Sequence, residues 1–499
     1  MTLPSSWRRA ALGGTVALAC GVSAVAGSYA VVGDSTAFVA TTIANATVTL
    51  APAVLVTFAI TVLGDLGSDI AYLSGLAATA AVLGTVAGGA RLAVARRGRP
   101  TASPVAVGVA VAVVSVGLSG SLQSALGAAV GGALVAVAAD LRETATASAA
   151  VDDSRRAVLS GATALAVGVV GVAGRRATPG GAAGSSIDGG AGSAPIPEDV
   201  AALLDEAESK SLSVDGLEPL VSDSFYRVDV ANVDPDPARE DWSVRIHGAV
   251  AEETTVSFSE AEAMDHDHRL ETLRCVGESL NGEKLDTALW TGVPLTAFLD
   301  EADPQGEYVM LRAADGFYEE FPVDALEDGF LAVGMNGRPL PRAHGAPARA
   351  LIPGHWGEIN VKWLTEIEIL DEPATGYWEE RGWHGTGPVE TVAKLWVENR
   401  RPDGRIEVGG AAYAGTRGVE RVEVSTDGGT TWVEAELSEP LPGDDVWRQW
   451  VHRYEAEGRH EVVVRAVDGT GTVQPREEAE AYPSGPSGWV SKTVDPRAL

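Results

Sequence analysis

The chain has little lysine, little cysteine and, over its first 194 residues, no histidine. Of 37 basic residues in 499, five are lysine and 32 arginine. Cysteine occurs twice, at Cys20 and Cys275. Cys20 lies in a long apolar run, which leaves Cys275 without a second thiol for an internal disulfide. All eight histidines follow residue 195, and no methionine besides Met1 precedes it. The apolar first part therefore lacks the usual axial ligands of a membrane haem. No Cys-x-x-Cys-His occurs, which excludes a c-type haem site. A basic face for nucleic acid is missing too, since the net charge is −31.

That charge is unevenly spread. Residues 1–194 hold 11 basic and 8 acidic residues, and the remainder holds 26 and 60, a balance of −34. So acidic and lysine-poor a surface suits high salt, where repulsion between carboxylates is screened. A halophilic source is expected.

The first 176 residues are dominated by long uncharged runs. Ala10–Val32, Ser35–Gly64 and Ile70–Ala90 are each long enough to span a bilayer. Pro100–Ala139 is too long for one span and is divided by the polar Ser119-Gly-Ser-Leu-Gln-Ser124. Ala157–Gly174 is a sixth candidate, so five or six spans are expected over 1–176. Arg91, Arg96, Arg97 and Arg99 form one basic loop; Arg142, Arg155 and Arg156 lie in another. The positive-inside rule puts both in the cytoplasm and the acidic remainder outside the cell. Counting all spans then puts the N-terminus outside, against Arg8 and Arg9, unless Ser35–Gly64 is irregular or re-entrant. Ser154-Arg-Arg-Ala-Val-Leu-Ser resembles a twin-arginine export signal, and reads equally well as flanking charge.

Residues 177–214 read as a Gly/Ala/Ser-rich linker followed by a short acidic helix. Residues 215–380 mix short strands, short helices and Gly/Pro turns, an α+β pattern. Residues 388–499 read as all-β. Arg421–Ala435 looks like a hairpin about Asp427-Gly-Gly, and Glu461–Gly471 repeats the pattern, giving an immunoglobulin-like sandwich.

Two clusters carry chemistry. Cys275 sits in Thr272-Leu-Arg-Cys-Val-Gly-Glu-Ser-Leu-Asn-Gly. By residue type it is a buried spectator, a nucleophile or a metal ligand. A zinc site with His266 and His268 is disfavoured: Asp265-His-Asp-His-Arg reads as a solvated stretch, and no further cysteine is at hand. The second cluster gathers His344, Arg349 and Lys362 among Gly345, Pro353, Gly354 and Gly357. Convergent cations among glycine turns suit an anionic, phosphate-bearing ligand, with surface salt bridges as the alternative.

Phe225-Tyr-Arg-Val-Asp, Trp242-Ser-Val-Arg-Ile-His-Gly, Thr272-Leu-Arg-Cys-Val, Leu289-Trp-Thr-Gly-Val-Pro-Leu, Met335-Asn-Gly-Arg-Pro-Leu-Pro and His344–Leu364 occur in the order found in the sulfite oxidase family. Residues 222–372 resemble its molybdopterin domain, and 388–499 its C-terminal dimerisation domain. The resemblance implies an enzyme carrying Mo-molybdopterin and transferring an oxygen atom at sulfur in a two-electron step. It implies Cys275 as molybdenum ligand, His344, Arg349 and Lys362 as cofactor holders, and Arg227 near the metal. The substrate expected is a small sulfur oxyanion such as sulfite. A sulfoxide of the methionine-sulfoxide type is the alternative, and a non-catalytic extracytoplasmic binding module is the rival of another class.

Departures from the family pattern affect the substrate side. Trp383 stands where sulfite oxidases carry a tyrosine, and Val228-Asp229 replaces Asn-His after the early arginine. Gly277-Glu278-Ser279 replaces a cationic stretch, so Glu278 reads as a charge subtracted from the pocket, with Arg381 as a replacement cation. Tyr226, Trp356, Arg381 and Trp383 are the expected pocket residues. With no electron acceptor of its own, the chain needs a cytochrome, cupredoxin or quinone-linked partner. Homodimerisation through residues 388–499 is implied by resemblance.

Overall fold

The computed structural model describes residues 5–63, 65–146, 185–186 and 195–499, which form two compact units. Ala157–Gly174, Arg155–Arg156 and most of the expected linker lie outside the described residues.

The helical unit contains four helices long and apolar enough to cross a membrane: Ala11–Val32, Leu66–Arg96, Pro100–Ser119 and Leu122–Leu141. Glycine allows them to approach closely. Gly27 and Gly127 meet backbone to backbone, so that a Cβ on either would overlap the other's carbonyl oxygen. Gly131 meets Ser23, and Gly21 meets Ala80, in the same way. Small residues at crossing points are how helices pack in lipid, where burying apolar surface gives no net drive. A buried Ser28–Ser124 hydroxyl pair, 2.7 Å apart, adds a polar tie. Gly120, at φ 64°, ends the third of these helices at the polar break.

The expected span Ser35–Gly64 is not one. Its backbone is broken into helices Thr41–Thr49 and Ala53–Phe58 and a π-helical turn Ala59–Leu63. Pro52 cannot continue a helix and instead precedes the second piece. Thr47 and Thr49 turn their hydroxyls onto the carbonyls of Ala44 and Asn45. A nine-residue helix rises only about 14 Å, half of the roughly 30 Å of hydrocarbon.

The second unit begins with helix Glu198–Lys210, which buries Val200 and Ala207. Two five-stranded sheets follow. One runs Arg338–Pro339, Phe330–Met335, Leu285–Pro294, Asp267–Arg274, with Arg349–Leu351 also paired to Phe330–Met335. The other runs Thr254–Ser257, Ser243–Gly248, Leu364–Leu370, Tyr308–Ala313, Tyr318–Pro322, with one parallel pair between Ser243–Gly248 and Leu364–Leu370. Val244 and Ile246, at alternate positions, point into the shared core with Leu311, Leu331 and Ile367.

From Val392 onward the chain is all-β. A five-stranded sheet centred on Ile406–Tyr413 faces a four-stranded sheet centred on Val419–Ser425 and His460–Asp468. Val408, Trp450, Val422, Val464 and Val490 fill the space between them, which makes the expected sandwich. The hairpin of Val419–Ser425 with Val433–Glu434 closes through a longer loop than a two-residue turn. Asp427 organises it by accepting from Thr430 N, Thr431 N and the Ser425 and Thr431 hydroxyls. These bonds to the charged form lower its carboxyl to about 2.

Candidate functional site

Strand Asp267–Arg274 pairs with Leu285–Pro294 up to Arg274–Leu285. Cys275 is the first residue beyond that pairing, tied by its N–H to Lys284 O at 3.0 Å. It therefore stands at the mouth of a loop on a rigid two-strand stem. The thiol is half-buried. Burial pushes it above the ordinary cysteine range, while nearby Lys284 and the Gly277 N–H oppose that rise. A thiol in such a setting is a poor nucleophile when metal-free, and a bound metal ion deprotonates it. His266 and His268 bond elsewhere, to Ala261 O and to Thr291 and Asp199. His268 lies within the strand rather than in a solvated stretch.

In the second cluster the side chains of Arg349 and Lys362 leave the backbone against Gly345, the residue that follows His344. The φ of Gly345 is 110°, and a Cβ there would sit 3.0 Å from the Cβ atoms of both Arg349 and Lys362. Only glycine fits this crossing. Arg349 is 4% exposed and donates to His344 O at 3.2 Å and Asn360 O at 2.8 Å. Asn360 also bonds Ile352 N and Trp356 O, which shapes the whole 349–362 hairpin. Lys362 donates to Ala343 O and lies over the Trp363 ring at 4.7 Å. Trp363 holds a positive φ of 50°, a strained setting for a bulky residue, and its indole bonds Arg342 O.

Aromatic rings connect the two clusters. Phe225 packs edge-on to His344 and Trp290, and Trp290 lies under Arg349 at 5.3 Å. Tyr226 stacks on Phe225, and its N–H is fixed by Asp286 at 2.7 Å. Its phenol is raised well above the usual range, first by burial and then by the Cys275 charge, with Arg349 opposing. Tyr226 thus lies within electrostatic reach of both clusters. Arg227 follows on the same arm and is exposed.

The remaining expected pocket residues are placed as follows. Trp383 is 2% exposed, and its ring packs edge-on to Trp378 and Tyr482. A Cβ at Gly277 would lie 3.7 Å from this ring and 4.0 Å from the Cys275 sulfur, so the two flank one spot. Among the described residues the Trp383 Nε1–H has no acceptor. Arg381 lies over the Tyr377 ring at 3.6 Å and donates to Tyr377 O. Trp356 is a core residue, with Arg274 over one face at 4.6 Å.

Glu278 is corrected by its surroundings: it takes no charge from a substrate pocket. Its side chain is buried, with Oε1 accepting from Arg274 Nε at 3.0 Å and Lys394 Nζ at 2.5 Å. Oε2 accepts from Lys284 N. Arg274 continues to Glu390 O and Pro486 O, and Lys394 to Gly282 O. The carboxylate joins the Cys275 loop to the β-sandwich. Nothing in the local motif pointed to this role, since Lys394 is 116 residues away.

The site fits a cofactor with a soft metal and an anionic tail. A single thiol at the end of a paired two-strand stem suits the metal, and Arg349 and Lys362, set about one glycine with the His344 ring beside them, suit the tail.

Residues 229–378 match the family described as oxidoreductase molybdopterin binding domain, and 389–482 match the Mo-co oxidoreductase dimerisation domain. Mitochondrial sulfite oxidase of Mus musculus is 29% identical over 225 residues, 40% of this chain and 37% of that protein. The Drosophila melanogaster enzyme is 27% identical over 343 residues, covering 55% and 59%. The chain thus spans well under two thirds of these relatives' lengths. The uncharacterized oxidoreductase YuiH of Bacillus subtilis is 30% identical over 160 residues, 31% of this chain and 79% of that protein. Among solved structures, the sulfane dehydrogenase SoxCD of Paracoccus pantotrophus superposes with a TM-score of 0.50 at 20% identity, covering 62% of this chain and 94% of that one. That likeness is one of fold.

Proposed function

Since the chain belongs to the sulfite oxidase family of molybdopterin-dependent oxidoreductases, we propose that it is a membrane-anchored, extracytoplasmic enzyme that transfers an oxygen atom at a small sulfur oxyanion such as sulfite. The observation that carries this reading is the folding of His344, Arg349 and Lys362 about Gly345, with Tyr226 linking them electrostatically to the Cys275 thiol. When bound, Mo-molybdopterin supplies two-electron exchange coupled to oxygen-atom transfer.

The chain's own residues bind, orient and shield. Cys275 would hold the metal through its sulfur from the end of a paired two-strand stem, where the Gly277 N–H favours the thiolate. Arg349 and Lys362 neutralise the anionic end of the cofactor, and His344, buried against Phe225, holds its flank. Arg227, on the exposed arm beside Tyr226, is the cation that meets an anionic substrate. Trp383 closes the opposite side and excludes water, and its unpartnered N–H is a donor to a substrate oxygen. Electrons leave to a separate cytochrome, cupredoxin or quinone-linked protein, and two copies pair through the sandwich.

One observation favours a second substrate. With Arg381 engaged by Tyr377, the wall near Cys275 is aromatic rather than cationic. That suits a neutral sulfoxide, reduced in the opposite direction.

The test is the molybdenum-to-protein ratio, followed by turnover of sulfite with an artificial electron acceptor and of methionine sulfoxide with an artificial donor. About one molybdenum per chain and turnover of sulfite alone is the expected result. Turnover of the sulfoxide alone reverses the direction proposed. Cys275→Ala should remove molybdenum and all turnover while leaving circular dichroism unchanged; an active variant would disprove the ligand role.

A further inference from the structure

Three carboxylates converge beside the Cys275 site in the mixed α/β part, Glu358 near enough to push the thiol up. Glu319 comes from strand Tyr318–Pro322, Glu358 from the 3-10 turn Gly357–Ile359, and Glu379 from the 3-10 turn Glu379–Arg381. Each offers an oxygen, and these lie within 4.8 Å of one another. Glu319 is fully buried and Glu358 is 7% exposed. Among the described residues no N–H or hydroxyl reaches either oxygen of Glu358 or of Glu379, and the Glu319 and Glu379 carboxyls lie close enough to share a proton. Glu319 receives only the Trp378 N–H at 3.2 Å and the Glu320 N–H at 3.4 Å. No lysine, arginine or histidine among the described residues pairs with any of the three. The Cys275 site has its cations and this cluster has none.

Buried carboxylates without donors or counter-ions cost several kcal/mol each, a cost that folded chains avoid. Either protons or a cation must offset it. The backbone around the cluster is shaped to admit all three groups. A Cβ at Gly376 would overlap the Glu319 carboxylate, and a Cβ at Gly385 would overlap that of Glu358. The carboxylates thus fill the space that side chains would take at both ends of the 376–385 loop. The donor set is all oxygen, which selects a hard cation over a soft one; burial and mutual repulsion push Glu319 up to about 11 and Glu358 up to about 8, so a bound cation would displace protons. Three oxygens within 4.8 Å of one another can share a calcium ion, whose shell at about 2.3–2.6 Å tolerates irregular geometry, whereas magnesium demands a near-ideal octahedron at about 2.0–2.1 Å.

We propose that Glu319, Glu358 and Glu379 bind a structural divalent cation of the calcium type, which pins the 376–385 loop to the cofactor-holding segment. That loop carries Arg381 and Trp383, and Glu358 lies four residues before Lys362. The ion therefore sets the distance between substrate wall and cofactor cradle. It is independent of which sulfur compound is turned over.

The test uses the full-length, molybdenum-loaded protein in detergent. After chelation and desalting, calcium chloride is titrated in by calorimetry, and bound calcium is counted by elemental mass spectrometry. The expected result is one ion per chain and a raised melting temperature. Glu358→Gln and the less buried Glu379→Gln should each weaken binding at least about tenfold, with molybdenum content held near the wild-type value. No binding at millimolar calcium, together with protonated-carboxyl infrared bands that vanish in either variant, would show the cluster held neutral by protons and overturn the proposal. Binding that survives both variants would overturn it too.

Discussion

Glu271 shows how burial rather than bonding sets behaviour at single positions. It is 4% exposed on the strand leading to Cys275, and burial, reinforced by Asp445, raises its carboxyl to about 8. The unfolded chain releases that proton near pH 4.3. Between about 4.5 and 8 the native state therefore holds a proton that the unfolded state lacks, and stability falls as pH rises through that window. Glu271→Gln should remove this slope. The variant should melt higher than wild type at pH 8 and about equally at pH 4, by a few kcal/mol at most. Asp286 and Asp445, raised to about 7 and 6, slope the same way, so the difference between variant and wild type isolates Glu271. An equal gap at both pH values would refute the assignment. At Trp383, phenylalanine keeps the ring and removes the N–H. Trp383→Phe should lower kcat by about tenfold with little change in KM, a donor being worth most where charge develops. An unchanged kcat would place that N–H away from the reacting oxygen. The residues expected at the site rest on local motifs. The place of Glu278 was not legible in the sequence, because its partner Lys394 comes from another domain.

At the scale of elements, apolar length misled over Ser35–Gly64 and served well elsewhere. Composition sees an uncharged run, whereas span formation needs an unbroken backbone, and Pro52 and the threonines interrupt it. Removing this segment as a span resolves a conflict in charge. If the four apolar helices cross, Arg8–Arg9, the Arg96–Arg99 loop and Arg142 share one side, as the positive-inside rule favours, and an extracytoplasmic second unit then needs one more crossing, expected at Ala157–Gly174 outside the described residues. A membrane-impermeant maleimide added to intact cells should then label a cysteine placed at Ser121 and spare one at Gly98. Labelling of Gly98→Cys alone would invert the topology. The contacts that hold these helices were half legible: glycine richness was evident, but which glycines meet was not. Gly127→Leu should separate helices Ser5–Val32 and Leu122–Thr146, because Gly27 leaves no room, whereas Gly117→Leu, with nothing near, should be tolerated.

Across the whole molecule, the acidic half is held to its site by a small number of buried cations. The α/β part and the sandwich meet at Glu278, where Arg274 and Lys394 converge on one carboxylate, with both cations fully buried. Burial lowers Lys394 to about 8, and the Glu278 carboxylate opposes that fall. Removing the acceptor leaves two buried charges uncompensated, a loss of about 3–5 kcal/mol for a broken buried pair. Glu278→Gln keeps the shape and removes the charge, so its cost is electrostatic. The Cys275 loop is built on this carboxylate, through Lys284 N, and the sandwich is built on Lys394. Loss of stability and loss of molybdenum should therefore occur together in this variant, although Glu278 touches no cofactor. High salt offers a control. It screens the −34 carried by residues 195–499 and should raise the melting temperature of wild type. It cannot reach a pair with no exposed surface, so the gap between Glu278→Gln and wild type should persist in molar salt. A gap that closes with salt would mean that the junction is solvated and that the two domains are joined by their apolar contacts alone.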